Sequence, residues 1–480
     1  MQQRSFCFST RRMAATVFAV LVAVQFILTP VAVQAALFGS FGVKEERELG
    51  KKYNTLIRSR YPVIEDPEVV SYVRDVVDRI YAQLPPQPFE RDITVIRSST
   101  LNAFATPGGY VYVFTGLITE LEHEAELAGV IAHELAHVSQ RHMAKRIENM
   151  QYVQMGMLAG ILAGMFLGEG AEGNQGEASE ALIVGSMAAG STAMLNYSRI
   201  DEREADQVGM NYLVEAGYKP QGMVGAFQKI RRKQFLSGST IPQYLSTHPD
   251  VGERIGYLEG RVGNLDPQVR DRGWDDKRFG RVKTLVRARY ADSDAALGAF
   301  ASGEGDPALR AMGRGVVYSR RNQIAEATAA FDEAMALAPE DPLVLREAGR
   351  FHYTSGDAAK AGMYLTKASI MNPKDLMALF FLARLQADKG QTQRAVGYFE
   401  RVLATLPEDS EVHFHLGRTL GESGDSFGGH LHLSYAGIYS LEKKQADFNL
   451  KKARELAKTE AQKKDLEKLE AVYKSRAEYW

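Results

Sequence analysis

From residue 315 onward the chain repeats itself every 34 residues, and that period decides the architecture of its carboxy-terminal part. Gly315, Gly349, Ala383 and Gly417 keep the spacing, as do Ala327, Ala361 and Ala395, and Phe331, Leu365 and Phe399. Pro339, Pro373 and Pro407 follow it too, with the turn residues Gly356, Gly390 and Gly424. A unit of this length holds two helices and no independent core, so its apolar face is buried only by stacking on the next unit. Small residues let the paired helices approach, and a proline closes the second helix. Three units are clear. After Gly424 the register breaks: Ala446, Leu450 and Ala453 recover a second-helix pattern 51 residues after Ala395, 17 more than one period, which predicts an extra helix. The charged segment from Thr459 to Tyr473 then serves as a polar cap.

The repeat looks like a tetratricopeptide array, although the tryptophan often found early in that repeat is absent. The resemblance implies a concave surface that binds peptides or partner proteins. His413 with His415 and His430 with His432 do not read as a second metal site, because alternate residues on a helix point apart.

Upstream, the run GVIAHELAHVSQ places His133 and His137 four residues apart, on one helix face, with Glu134 between them. Two imidazoles at this spacing are zinc donors, and the glutamate is positioned as a general base. In a catalytic zinc site three protein ligands leave a fourth position for water, whose pKa falls to about 7. Val130, Ile131, Leu135 and Val138 bury the flanks. The compact third ligand is missing, since the position six residues after His137 is Met143. The acidic run from Ser198 to Asp206 is the best source of a replacement. There Glu202 shares a face with Ala205, Gly209 and Tyr212 and points inward, whereas Glu204 projects elsewhere. Asp206, one turn later, can accept the second ring hydrogen of a ligating histidine. Periodicity leaves Asp201 open beside Glu202.

Four separated blocks together resemble the gluzincin metallopeptidases that include the CAAX prenyl endopeptidases and the HtpX heat-shock membrane proteases. They are Asn102-Ala103-Phe104 with Pro107-Gly108-Gly109, the HELAH helix, the Ser198 to Asp206 run, and His248-Pro249 with Glu253-Arg254. The resemblance covers roughly residues 40 to 262. It implies one zinc ion per chain held by His133, His137 and Glu202, with Glu134 as the base. His248 then has two possible roles: stabilising the oxyanion, or occupying zinc's fourth position and holding the enzyme latent. Arg254 is a candidate for oxyanion or substrate contact, with a structural salt bridge as its alternative. Pro107-Gly108-Gly109 turns the chain into the strand Tyr110 to Phe114, expected at a cleft edge where extended substrate backbone can pair. Asn102, Tyr110 and Tyr112 are its candidate substrate contacts.

Arg4, Arg11 and Arg12 precede an uncharged apolar stretch from Met13 to Leu28, and Val33-Gln34-Ala35 offers a small-residue cleavage site, so residues 1–35 read as a secretory signal. An uncleaved anchor is the rival reading. The single cysteine, Cys7, falls inside that segment. Removing it leaves 55 basic against 59 acidic groups, with no basic cluster to favour nucleic acid. Met155 to Leu167 and Ala181 to Leu195 are apolar but short for a membrane span, and read as helices beside the site that touch a membrane peripherally or act as a lid.

The fold expected is therefore mainly α: an α+β zincin-type metallopeptidase domain with a small sheet over 36–262, a linker and connecting helix over 263–300, and a tetratricopeptide solenoid over 301–480. Gly263 to Gly280, with Trp274, reads as the linker and Arg281 to Phe300 as one helix. This combination resembles a family of periplasmic proteases that guard outer-membrane protein assembly in Gram-negative bacteria. The resemblance implies unfolded or stalled outer-membrane barrel proteins as substrates and the outer-membrane assembly machinery as partner of the repeats. A non-proteolytic chaperone with a latent metal site, and a membrane-anchored protease of the prenyl-endopeptidase kind, are the alternatives.

Overall fold

The computed structural model describes residues 42–89, 91–148, 198–236, 244, 248, 251–303 and 305–476. The expected signal segment and the apolar stretches 155–167 and 181–195 lie outside them. The amino-terminal half is organised by a four-stranded sheet of β1 (Val63–Ile64), β2 (Asp92–Ile96), β3 (Ala103–Thr106) and β4 (Tyr110–Phe114), in the order β1-β2-β4-β3. β2 and β4 run parallel, and β1 and β3 pair antiparallel to their neighbours.

This order corrects one expectation, because β4 lies inside the sheet. Gly108 and Gly109, at φ 83° and 85°, take a left-handed conformation that side-chain-bearing residues rarely adopt, and they fold β3 back onto β4. The outer strand on this side of the sheet is therefore β3, which has β4 as its only strand neighbour among the described residues and is itself largely buried.

Helix α1 (Val43–Arg60) covers one sheet face, where Ile57 meets Ile96, Tyr112 and Phe114. α2 (Pro67–Tyr81) covers the other. It starts at an Asp66 cap followed by proline and buries Val69, Tyr72, Val73, Val76, Val77 and Ile80, an amphipathic stripe at helical spacing. After the short α3 (Thr115–Glu120) comes α4 (Glu124–Ser139), in which every residue from Glu124 to His137 is buried. A helix enclosed on all sides needs close neighbours. α5 (Arg199–Glu215) and α6 (Gln221–Leu236) supply them through glycine. A Cβ at Gly209 would lie 2.9 Å from the Ala132 carbonyl oxygen, and one at Gly129 would lie 2.6 Å from the Met223 Cα. α7 (Val251–Gly263) closes the layer.

The expected linker and single connecting helix resolve into α8 (Pro267–Arg270), α9 (Lys277–Tyr290) and α10 (Ser293–Ala301). The Gly, Asp and Arg content suggested a free segment, yet Trp274 packs on Tyr218 at 4.4 Å between ring centroids and Arg272 Nη1 donates to the Val214 carbonyl at 2.9 Å. α9 serves two cores: Phe279, Val282 and Val286 join that of the amino-terminal half, and Leu285 and Ala288 join that of the first repeat. Asp292 caps α10 and so divides the connecting helix in two.

The repeats are helix pairs α11 (Pro307–Arg320) and α12 (Ile324–Leu337), α13 (Pro342–Thr354) and α14 (Ala358–Met371), α15 (Leu376–Asp388) and α16 (Thr392–Leu403), and α17 (Ser410–Glu422) and α18 (Ser426–Tyr439). The register does not break at Gly424. Gly429, Leu433 and Ala436 stand one period after Ala395, Phe399 and Val402, with glycine in the alanine place. There α17 and α18 are so close that a Cβ at Gly417 would lie 2.9 Å from the Gly429 carbonyl oxygen. The extra helix is α19 (Lys443–Leu456), and α20 (Glu460–Arg476) buries only Leu469, as suits a polar cap.

A buried ionic cluster joins the halves. Arg289 of α9 pairs with Asp66 and Glu347, and Arg346 of α13 pairs with Glu68, with Glu347 at 2.9 Å and with Asp375 at 3.3 Å.

Candidate metal centre

Four side chains from three parts of the chain meet beside the sheet. His133 and His137 come from α4, Glu202 from the first turn of α5, and His248 from beyond α6. All four are buried, and one donor atom of each lies within 4.8 Å of the others. His133 Nε2 stands 3.0 Å from His137 Nε2 and 3.4 Å from His248 Nδ1. The Glu202 oxygens lie 3.5, 3.4 and 2.9 Å from His133 Nε2, His137 Nε2 and His248 Nδ1. A tetrahedron with metal–ligand bonds of about 2.0–2.1 Å has edges of about 3.3 Å, so these donors are spaced to hold a metal ion. Asp201, the alternative to Glu202, faces Ser198 instead, accepting from its backbone N–H at 3.1 Å in a capping box.

The surrounding hydrogen bonds fix which nitrogen each histidine turns to the centre. His133 Nδ1 lies 2.9 Å from Asp206 Oδ1, so it donates there and leaves Nε2 as the inward donor. His137 Nδ1 lies 2.8 Å from His142 Nδ1, and the far nitrogen of His142 lies 3.3 Å from Glu204. One tautomer satisfies the chain: His142 donates to Glu204 and accepts from His137, whose Nε2 faces inward. His142 is a residue that the sequence reading missed. Its signal is the break after α4, where Arg141 takes φ 53° and swings the next residue back; Arg141 is held by two hydrogen bonds to Glu46, at 3.0 and 2.8 Å. His142→Ala is expected to weaken metal binding about 10–100-fold. Chelator competition measures this, and an unchanged affinity would remove His142 from the site.

The cluster's ionisation fits a cation. Burial alone would raise the Glu202 carboxyl, but His248, His133 and His137 hold it far below the usual carboxylate range. Burial presses His137 well below its ordinary value, which keeps it a neutral donor. Burial and Arg254 press His133 down, yet hydrogen bonds to Asp206 and Glu202 outweigh them and hold it up to about 9. Both carboxylates therefore stay charged while the His133 imidazole keeps its proton, and that positive charge sits where a bound cation would take its place. Asp206, despite burial, is drawn down to about 2 by His133 and Arg254.

Arg254 is fully engaged. It donates to Asp206 Oδ2 at 2.8 Å and Oδ1 at 2.6 Å, touches Glu202, and lies 4.5 Å from the Phe227 ring centroid. Of its two sequence readings, the salt bridge is the arrangement present, and it places the guanidinium behind the ligands. Tyr257 also donates to Asp206. Tyr244 stacks on His248 at 4.4 Å and fixes its ring plane.

Glu134 Oε1 is buried and has no hydrogen-bond partner among the described residues; His248 Nε2 is 3.5 Å away. Burial pushes the Glu134 carboxyl up. Asn102, at the start of β3, likewise has an unpartnered buried Oδ1. Tyr110 is half-buried. Tyr112 is not available to a ligand: it is fully buried, stacks on Phe104 at 4.7 Å and donates to Asn54 Oδ1 at 3.0 Å. The inner position of β4 is the reason.

Residues 64–262 match Peptidase family M48, and residues 352–414 match the tetratricopeptide repeat. The chain carries an M48 metalloprotease domain followed by tetratricopeptide repeats. It is 32% identical to a putative beta-barrel assembly-enhancing protease of Vibrio cholerae, covering 55% of this chain and 53% of that one. It is 29% identical to the beta-barrel assembly-enhancing protease of Escherichia coli, over 48% of this chain and 46% of that one. A mitochondrial metalloendopeptidase of Schizosaccharomyces pombe is 30% identical over 39% of this chain and 51% of its own. The chain thus spans about half the length of the curated relatives it matches. No helix among the described residues is long and apolar enough to cross a membrane.

Proposed function

We propose that the chain is a periplasmic zinc endopeptidase acting on unfolded or stalled outer-membrane β-barrel proteins, held latent by its own His248. The observation that carries the latent state is the donor set: three imidazoles and one carboxylate already make four, leaving no protein-free position. Zinc, when bound, supplies a Lewis acid that polarises a carbonyl and makes a nearby water acidic. Glu134, desolvated and unpartnered on one oxygen, takes the proton of the attacking water and passes it to the leaving amine. The edge of β3 pairs with extended substrate backbone beside Glu134, and Asn102 offers its amide oxygen to a substrate N–H. Backbone pairing reads little side-chain identity, which suits unfolded chains of varied sequence. The tetratricopeptide repeats bind protein, and the names of the bacterial relatives support the outer-membrane assembly machinery as the partner.

The test is cleavage of an unfolded outer-membrane barrel protein by the purified zinc-loaded chain, with chelator and with His248→Ala. Chelation should abolish cleavage. Removing the latch should raise it about tenfold if the closed state is favoured by about 1.4 kcal/mol. A fall in the His248→Ala chain would assign His248 to the oxyanion instead. Absence of cleavage in both chains would leave the non-proteolytic chaperone.

A further inference from the structure

The sheet has a second outer strand, β1, at the end opposite β3. β1 matches Val63 to Ile96 and Ile64 to Val95, and the Arg97 N–H donates to the Pro62 carbonyl at 2.8 Å. Hydrogen-bonded pairs alternate along an antiparallel ladder, so the Pro62 carbonyl and both polar groups of Ile64 turn to β2. Across planar trans peptides the adjoining groups point the other way. The Val63 N–H, the Val63 C=O and the Glu65 N–H therefore face outward, and none of the three has a hydrogen-bond partner among the described residues.

Val63 and Glu65 line a chamber of about 1260 Å³ between the catalytic half and the repeats, one wall of which is built from the turns around Pro373 and Pro407. Small-molecule pockets hold about 300–1,000 Å³, so a space of this size accommodates a length of polypeptide. The Glu65 carboxylate has no ion-pair or hydrogen-bond partner among the described residues. Burial and Asp409 across the seam push it up, Glu411 adds to this, and Arg58 opposes it. Burial also pushes up Asp409, the cap of α17, and burial with Asp409 pushes up Glu411. Several of the chamber's cations are already engaged: Arg476 pairs with Glu408 at 2.6 Å, Arg278 with Asp75 at 2.6 Å, and Arg346 with three acids. One further positive charge beside Glu65 relieves the repulsion among these carboxylates.

We propose that the chamber takes an extended, basic segment of a partner polypeptide, which adds to the sheet beside β1 as a fifth strand. In a segment running antiparallel to β1, the residue opposite Val63 exchanges two hydrogen bonds with it, and the residue two places earlier accepts from the Glu65 N–H. Opposite side chains share a face of the sheet, so valine suits the first position and lysine or arginine the second. This pairing lies at the other end of the sheet from β3 and uses no group of the metal centre.

The experiment uses the full chain in its Glu134→Gln form, so that no probe is cut, and fluorescence anisotropy with a labelled peptide carrying Lys-Thr-Val in an uncharged, threonine-rich background. Glutamine in place of the lysine should weaken binding about fivefold, the most that one opposite-charge pair across strands supplies. Methylating the backbone nitrogen of the valine should abolish binding, because that N–H meets the Val63 carbonyl. Methylating the nitrogen of the central threonine should be tolerated, because that N–H faces away. Glu65→Lys should reverse the charge preference, so that a peptide with glutamate in place of lysine binds the more tightly. Val63→Pro removes an outward donor and no bond to β2, and should weaken binding about fivefold. Absence of binding overturns the proposal, and equal effects of the two methylations overturn strand addition. A lysine preference that survives in folded Glu65→Lys overturns the placing of the basic residue; if that variant fails to fold, unchanged binding to Val63→Pro overturns the site. None of these outcomes depends on whether the unsubstituted chain cleaves anything.

Discussion

Glutamine at position 134 is expected to lower cleavage of an unfolded barrel protein by about 10²–10⁴-fold, the range that general acid–base catalysis supplies, and to leave metal content and thermal stability nearly unchanged. The two side chains have almost the same shape, so the packing of α4 persists. The amide cannot accept the proton that Glu134 Oε1 is free to take, since that oxygen has no hydrogen-bond partner among the described residues. Burial pushes the carboxyl up, which brings its proton affinity nearer to the working pH of a base. Cleavage rates should be read beside the zinc content of each protein. Loss of activity together with loss of zinc would make Glu134 a structural member of the site; full activity with zinc in place would exclude it as the base.

Arg346→Ala is expected to produce the largest loss of stability outside the metal centre, about 3–5 kcal/mol. Arg346 is 2% exposed and its guanidinium answers Glu68, Glu347 and Asp375. Glu347 is held far below the usual carboxylate range, against burial, by Arg289 and Arg346 among others. Truncation leaves these acids buried with too little positive charge. It also loosens the join between α13 and α2, because one end of the cluster stands on each side. The predicted signature is a fall of roughly 10 °C in the melting of the repeats. Arg346→Met, which keeps the aliphatic packing but not the charge, should fall by a similar amount while the acids remain. A melting point within about 2 °C of the unsubstituted protein would show that the cluster is not what holds the two halves together.

Much of the metal centre was legible because helical spacing is a local property. His133, Glu134 and His137 are defined within five residues, and Glu202 lies on a face shared with Ala205, Gly209 and Tyr212. The long-range parts were harder. His142 takes its place through a left-handed Arg141 whose side chain is held by the distant Glu46, and no local pattern announces that partner. The strand Tyr110–Phe114 was identifiable, but its neighbours were not, since sheet order depends on where the Gly108-Gly109 turn sends the chain. The fourth repeat was hidden by Gly429, which performs the alanine's role of close approach with a different residue. The segment before α9 misled because composition cannot tell a free linker from one pinned by Trp274 and Arg272.

Helix α9 sets a rule for dissecting the molecule. Phe279, Val282 and Val286 complete the core that α2 and α4 begin, so a fragment ended at residue 262 would expose that core to water. An excised catalytic unit needs the chain through Tyr290, and the natural cut falls between Tyr290 and the Asp292 cap. During vectorial synthesis the same dependence delays completion of the first core until α9 has emerged, by which point the first repeat is next in line to use the helix's other side.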